Sequence, residues 1–200
     1  MEHIENQTFT SIKIDVSAFT TLTSEKLVEL SARNPLLKIE SEGKTVLIIN
    51  SAINNFDDQR NLTRLLIELG IWNESINKNE GELLDSGSSI EFPDGSGKMP
   101  DITYILKEKL RDHPKSKVLL FIPDFVAEYV STYDSLKEAQ QKMEFYMKNN
   151  VPLAWLIVPK EDQTYIYQPN TEVKKCAFHE VLDSGNVLQG FKIVLSEIFE

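Results

Sequence analysis

The chain has 200 residues, of which 41% are apolar, so it can build one good hydrophobic core but is too short for two comfortable domains. Its net charge of −10 argues against a general polyanion binder, because phosphates are repelled over about a Debye length. The only cysteine, Cys176, excludes an intrachain disulfide and a cysteine-rich zinc site, and the three histidines are scattered. Any metal site must therefore be built from carboxylates, which favours magnesium, manganese or calcium.

The N-terminal residues show neither an export signal nor a membrane segment. The N-terminus, with Glu2, His3, Glu5 and Asn6, is not basic and then apolar, and no apolar run approaches the length needed to cross a bilayer. We therefore expect a cytoplasmic protein. A partly alternating pattern up to Val16 predicts a strand or an ordered arm, so we expect an N-terminal arm at 1–22 and one domain at 23–200.

The first part of this domain predicts a helix, a hairpin and a second helix. Thr23 or Ser24 can cap a helix that ends before Pro35, since proline disfavours helix in the preceding residue. Two strand-like runs, 36–41 and 45–50, then predict a β-hairpin. Leucines at core-facing spacing predict the second helix over about 54–69, and Gly70 is well placed to end it.

The next segment is rich in turn formers and leads to the first candidate acid. Residues 81–97 contain two groups of turn formers, and residues 89–92 between these groups predict a short strand, so we expect a second hairpin here. Pro100 then precedes a strand at 101–105 and leaves Asp101 at the mouth of that strand. The basic run at 107–117 is typical of a solvated helix and loop, although its place between two candidate site strands keeps polyanion contact as an alternative.

A second acid lies in the strand predicted at 124–130. Both faces of this strand are apolar, which predicts a central strand covered on two sides, and Glu128 is the exception. A carboxylate buried there is costly unless it is neutralised, protonated or bound to a cation. In the helix that follows, Met143 and Tyr146 belong to the inner stripe and Lys142 lies on its flank, where its ammonium can point toward the sheet. Glu128 and Lys142 can therefore share one site.

The remaining residues predict further strands. Residues 151–158 form a strongly apolar run that fits a buried strand, 164–168 alternate, and 181–188 and 191–195 are extended. The sequence contains no internal repeat or low-complexity segment. The expected fold class is α/β, with a mixed β-sheet core flanked by helices.

Asp101, Glu128 and Lys142 together resemble the parts of a phosphodiester hydrolase. Two carboxylates from neighbouring strands can hold Mg²⁺ and leave positions for water and a phosphate oxygen, while an ammonium stabilises developing negative charge. The spacing alone leaves a structural alternative open. Such triples occur by chance in an acidic chain, Asp101 can cap a turn, and Lys142 can simply extend to solvent.

Several stretches of the sequence carry a family resemblance. They are the strand at 46–51 ahead of Arg60-Asn61, the hairpin at 85–95 leading into Pro100-Asp101, residues 123–131, residues 142–157 and the closing residues 187–191. From about Thr23 to Phe199 the chain resembles the bacterial family of putative restriction endonucleases, formerly a domain of unknown function, in the PD-(D/E)XK nuclease superfamily.

The resemblance implies a restriction-endonuclease-like core that cleaves DNA. In it, Asp101 and Glu128 would be the metal-binding carboxylates for Mg²⁺, with Mn²⁺ able to substitute. The superfamily usually has its lysine two residues after the second acid, where this chain has Val130, and Lys142 matches a lysine moved to the following helix. Cutting both strands of a duplex commonly needs two active sites, which favours a C2 homodimer.

The chain also departs from the family pattern. Phe56 stands where family members often have glutamate, and Asp57 or Asp58 is an alternative even though a shift of one residue turns a helical side chain by roughly 100°. Lys98 replaces a common arginine, which keeps the charge but loses the planar fork. Three functions therefore stay open: a Mg²⁺-dependent DNA endonuclease, a catalytically degenerate nuclease fold that serves as a binding or interaction module, and a metal-dependent hydrolase of smaller phosphoesters.

Overall fold

The computed structural model describes residues 11–51, 55–111, 119–132 and 134–199. Its helices are α1 (Ser24–Arg33), α2 (Phe56–Ser75), α3 (Lys107–Leu110) and α4 (Leu136–Lys148), with short 3-10 turns at Pro159–Glu161 and Leu195–Glu197. Its strands are β1 (Ser11–Asp15), β2 (Leu37–Glu42), β3 (Val46–Ser51), β4 (Gly81–Asp85), β5 (Ile90–Glu91), β6 (Gly97–Lys98), β7 (Ile102–Leu106), β8 (Leu119–Leu120), β9 (Phe125–Tyr129), β10 (Leu153–Val158), β11 (Gln163–Tyr167), β12 (Lys174–Ala177), β13 (Val181–Asp183) and β14 (Lys192–Val194).

A six-stranded mixed sheet forms the centre of the fold, in the order β12-β11-β10-β9-β7-β4. Strands β9 and β10 are parallel, and the other neighbours in this sheet are antiparallel. Every residue of β9 and of β10 is buried. The sheet confirms the predicted α/β class and the prediction that the Glu128 strand is central.

The two faces of the central sheet are covered by different elements. Phe125, Ala127 and Tyr129 of β9 pack on the side of α2 and the C-terminal segments. Val126 packs on the other side, with Met143 of α4. Because side chains alternate along a strand, Glu128 belongs to the α4 side, and the sheet and α4 together bury it.

The prediction that Gly70 ends the second helix is wrong, because α2 continues to Ser75. Leu69 and Trp72 flank Gly70 and are buried in the core, so their packing outweighs the helix penalty of one glycine, about 1 kcal/mol. The turn that follows the helix contains Lys78 and Asn79, which both have positive φ. Within the described residues, no helix is both long and apolar enough to cross a bilayer.

A separate three-stranded sheet, in the order β1-β3-β2, lies next to the central one. Strands β2 and β3 form the predicted hairpin, and β1 pairs antiparallel with β3. Ile39 of β2 packs with Leu22 and Leu27, which fixes one face of β2 against α1. The opposite face carries Lys38 and Glu40. The division into an arm at 1–22 and a domain at 23–200 stays a prediction, and residues 1–10 lie outside the described ranges.

The second predicted hairpin is formed by β5 and β6 around a turn in which Gly95 has φ +81°. Strand β4 instead pairs with β7 at the edge of the central sheet. The extended segment predicted at 181–188 is shorter than expected, because only Val181–Asp183 pairs with β14 and the chain then turns.

Candidate active site

Asp101 and Glu128 lie side by side because their strands pair. Ile102 of β7 is opposite Ala127 of β9, and the same antiparallel register, continued by one residue, places Asp101 opposite Glu128. The backbone N–H of Tyr129 donates to Asp101 Oδ2 at 2.9 Å and fixes the carboxylate there. Both acids line an open cavity of about 150 Å³.

Lys142 reaches the same place from α4. Its Nζ lies 2.8 Å from Glu128 Oε1, and the Tyr146 hydroxyl donates to that same oxygen at 2.6 Å. Met143 and Tyr146 are fully buried, so α4 is held with Lys142 on the edge that faces the sheet. The structure thus brings together all three residues that the sequence singled out. Their catalytic roles stay predictions.

Two further charged residues of the site come from β2, and sequence reasoning missed them. Lys38 Nζ lies 2.5 Å from Asp101 Oδ1. Glu40 Oε1 lies 2.7 Å from Lys142 Nζ and accepts a hydrogen bond from the N–H of Met99 at 2.8 Å. The only sequence signal is their alternation with Ile39, which an ordinary strand with a solvated face shows equally well.

Lys98 completes the charged cluster. It is only 4% exposed, and its Nζ lies 4.9 Å from the centroid of the Phe145 ring. The cluster therefore contains three ammonium groups and three carboxylates, all buried or nearly so: Lys38, Lys98, Lys142, Glu40, Asp101 and Glu128. Since its formal charges balance, the cluster can be accommodated inside the protein.

The surroundings shift the pKa values of the cluster in opposite directions. Burial opposes the charged form of Glu40, but the neighbouring ammonium groups, above all Lys142, outweigh it and lower the pKa of Glu40 to about 2. For Glu128, burial has the largest effect and raises the pKa, while Lys142 acts against it. Burial also lowers the pKa of Lys98. In Lys142, burial is outweighed by Glu128 and Glu40, and the pKa is raised. Glu40 and Glu128 thus differ in how firmly each is held ionised.

The donor set of the cavity fits a magnesium ion held partly by water and substrate. Among the described residues, no group of three or more His, Cys, Asp or Glu side chains could hold a metal ion by itself. Magnesium, however, is commonly bound through one or two carboxylates, with waters and phosphate oxygens as its other ligands. Asp101 and Glu128, side by side on the cavity wall, supply such a pair.

The start of α2 does not supply a further acid to the cavity. Phe56 is 77% exposed, and Asp57 lies on the surface, 3.2 Å from Arg60. Asp58 is buried, which raises its pKa, yet Gln59 is the α2 residue that lines the cavity. Neither suggested replacement for the family glutamate therefore lines this cavity.

The described part of the basic run is held by neighbouring acids. Lys107 pairs with Glu82 at 3.4 Å, and Lys109 pairs with Asp124 at 2.8 Å. Residues 112–118 lie outside the described ranges, so polyanion contact by this run stays an alternative.

Comparison with known proteins identifies the family. The model of the Uma2 family, described as putative restriction endonuclease, matches residues 25–196, well over half of the chain. The chain belongs to this family. A search of curated proteins finds no match.

A solved structure shares this fold. A crystal structure of a putative nuclease of DUF820 from Anabaena variabilis superposes with a TM-score of 0.70 at 14% identity, over 80% of this chain and 89% of that one. At this identity the likeness shows a common fold. A cryo-EM structure of a DrdV–DNA complex matches 72% of this chain and 13% of that one, at 14% identity and a TM-score of only 0.37.

Proposed function

We propose that this member of the Uma2 family is a Mg²⁺-dependent DNA endonuclease that hydrolyses phosphodiester bonds. In this proposal Asp101 and Glu128 hold the ion, and Mn²⁺ can replace Mg²⁺. Lys142 is the catalytic ammonium. The observation that carries the proposal is the meeting of two carboxylates and an anchored ammonium at one open cavity within a nuclease-type fold.

The ion, when bound, would polarise the phosphate and lower the pKa of a bound water. The chain's own residues do the rest. Asp101 is oriented by the Tyr129 N–H, and Glu128 by the Tyr146 hydroxyl, so both carboxylates are fixed before a ligand arrives. Lys142 stays protonated because its pKa is raised, and so it can donate to a phosphate oxygen as negative charge develops. Preorganisation of this kind reduces the reorganisation needed during reaction.

The proposal is tested by binding and cleavage measured on the same variants. Calorimetric titration with Mn²⁺ should show binding by the wild type that Asp101→Asn and Glu128→Gln each abolish. Cleavage of plasmid DNA should be lost in both, while Lys142→Met should keep Mn²⁺ binding and lose cleavage. Glu42→Gln, which changes an exposed acid on β2, is the matched control and should behave like the wild type. Wild-type protein that cuts no DNA with either metal would refute the proposal.

A second candidate, a nuclease fold that binds without cleaving, is favoured by one observation. Phe56 replaces an acid that family members often carry, and no side chain of Asp57 or Asp58 lines the described cavity in its place. Tight DNA binding by the wild type that is unaffected by Asp101→Asn and accompanied by no cleavage would support this reading.

We further propose a cytoplasmic location and a C2 homodimer that cuts both strands of DNA. The dimer is supported by the proposed reaction, since cutting both strands of a duplex commonly needs two active sites. Sedimentation equilibrium should give a mass close to twice 22.9 kDa, whereas a monomer that still makes double-strand cuts would refute the dimer.

A further inference from the structure

Lys38 is a charged cavity residue to which the proposed reaction assigns no role. It comes from the hairpin sheet instead of the central sheet, yet its ammonium lies 2.5 Å from Asp101 Oδ1. Its side chain is 18% exposed and lines the same open cavity as the two acids. A lysine in direct contact with an expected metal ligand needs a physical reason, because an ammonium and a divalent cation on one carboxylate repel each other.

We propose that Lys38 is the counterion of Asp101 in the metal-free protein and that a divalent cation displaces its ammonium into the cavity. This inference rests on the proposed function insofar as it takes Asp101 and Glu128 as the metal ligands. Lys38 would then set how tightly the ion binds and would itself ligate nothing.

The anchoring of the two lysines indicates which one gives way. Lys142 Nζ is held by Glu40 at 2.7 Å and by Glu128 at 2.8 Å, and it also lies 3.4 Å from the carbonyl oxygen of Met99. Within the described ranges, Lys38 forms a single ion pair, with Asp101. An incoming cation therefore breaks one contact by displacing Lys38 and would break several by displacing Lys142.

The charge balance of the cluster also favours displacement of an ammonium group when a cation binds. The cluster contains three ammonium groups and three carboxylates, so a divalent ion adds two uncompensated positive charges in a partly buried place. Moving the Lys38 ammonium toward the open side of the cavity lowers this excess near the ion. The long, flexible lysine stem permits that movement without a change in the backbone of β2.

The test is calorimetric titration of Mn²⁺ into the metal-free protein and its variants. Lys38→Met keeps most of the length of the side chain but removes the competing charge, so it should bind Mn²⁺ about tenfold more tightly than the wild type. Lys38→Gln provides a second uncharged side chain in case methionine impairs folding, and it should also bind more tightly. Lys38→Arg should bind like the wild type. Lys13→Met removes an exposed lysine from the same hairpin sheet and should leave binding unchanged.

Thermal unfolding gives a readout that does not depend on cleavage. Without metal, Lys38→Met should unfold at a lower temperature than the wild type, because Asp101 loses its counterion. Saturating Mn²⁺ should then raise its Tm by more than it raises the wild-type Tm. Folded uncharged variants that bind Mn²⁺ no more tightly than the wild type would overturn the inference.

Binding and cleavage measured together distinguish failure of the counterion role from failure of the endonuclease proposal. If binding follows the expected order but no protein cuts DNA, the counterion role stands and the endonuclease proposal falls. If the wild type and all variants fail to bind Mn²⁺, both fall.

Discussion

Replacing the buried acid Glu40 by glutamine should destabilise the protein in a pH-dependent way. The side chain is 3% exposed, and its Oε1 accepts from Met99 N–H and pairs with Lys142. Glutamine keeps the shape but removes the charge, so Lys142 loses one of its two carboxylate partners. Removing one partner of a buried pair is costly because the other charge stays buried.

The magnitude follows from the pKa of Glu40. The surroundings lower it from 4.5 to about 2. At about 1.4 kcal/mol per pKa unit, the charged form contributes about 3 kcal/mol to the free energy of unfolding. Because the folded-state pKa is the lower one, this contribution is complete above pH 4.5 and is lost as the pH falls toward 2. At pH 3.5 about 1 kcal/mol of it should already be gone.

The assay is urea unfolding of wild type and Glu40→Gln, followed by tryptophan fluorescence at pH 7 and pH 3.5. We expect a stability difference of about 3 kcal/mol at pH 7 that shrinks by about 1 kcal/mol at pH 3.5. Glu42→Gln is the matched control, since Glu42 lies on the same strand in an exposed pair, and it should change stability by less than about 1 kcal/mol. A Glu40→Gln effect as small as the control, or one that does not shrink in acid, would refute this account of the cluster.

Three further predictions concern packing. Gly81→Ala should destabilise the protein by about 1–3 kcal/mol, because a Cβ there would overlap the Tyr104 ring. Gly70→Ala is the contrast, since its Cβ would meet open space in a helix, and it should stabilise the protein by up to about 1 kcal/mol. Equal effects of the two substitutions in urea unfolding would contradict this prediction. Burial raises the pKa of the Cys176 thiol, so Ellman's reagent should react with it slowly in the native protein and rapidly after denaturation. A fast reaction in the native protein would disprove the burial of Cys176. Phe125→Ala should cost about 3–5 kcal/mol, and an unchanged calorimetric Tm would count against the described core.

The central strands and the proximity of Asp101, Glu128 and Lys142 could be predicted because their signals are local. A run that is apolar on both faces has few explanations other than a strand covered on two sides, and Glu128 breaks that run visibly. The inner stripe of α4 is equally clear from its spacing and brings Lys142 with it. Asp101 follows from Pro100, which marks the start of the strand.

The contribution of β2 could not be predicted in this way. Lys38 and Glu40 alternate with Ile39, and a strand with one solvated face has the same pattern. Whether its polar face meets water or a second set of charges depends on how two sheets pack, which residue spacing does not encode. Gly70 shows the same limit for helices, since burial of the neighbouring side chains overrides its local propensity.

Lys142 contacts Glu40, which lies far from it along the chain, as well as Glu128. This separation affects when the three residues can meet during synthesis on the ribosome. Glu40, Glu128 and Lys142 meet only after α4 has left the exit tunnel and docked, because their contacts span more than half of the chain. Such long-range contacts form late in folding. A nascent or truncated chain that stops before α4 therefore leaves both acids without their shared lysine, and the buried charge cluster forms only once α4 has packed on the central sheet.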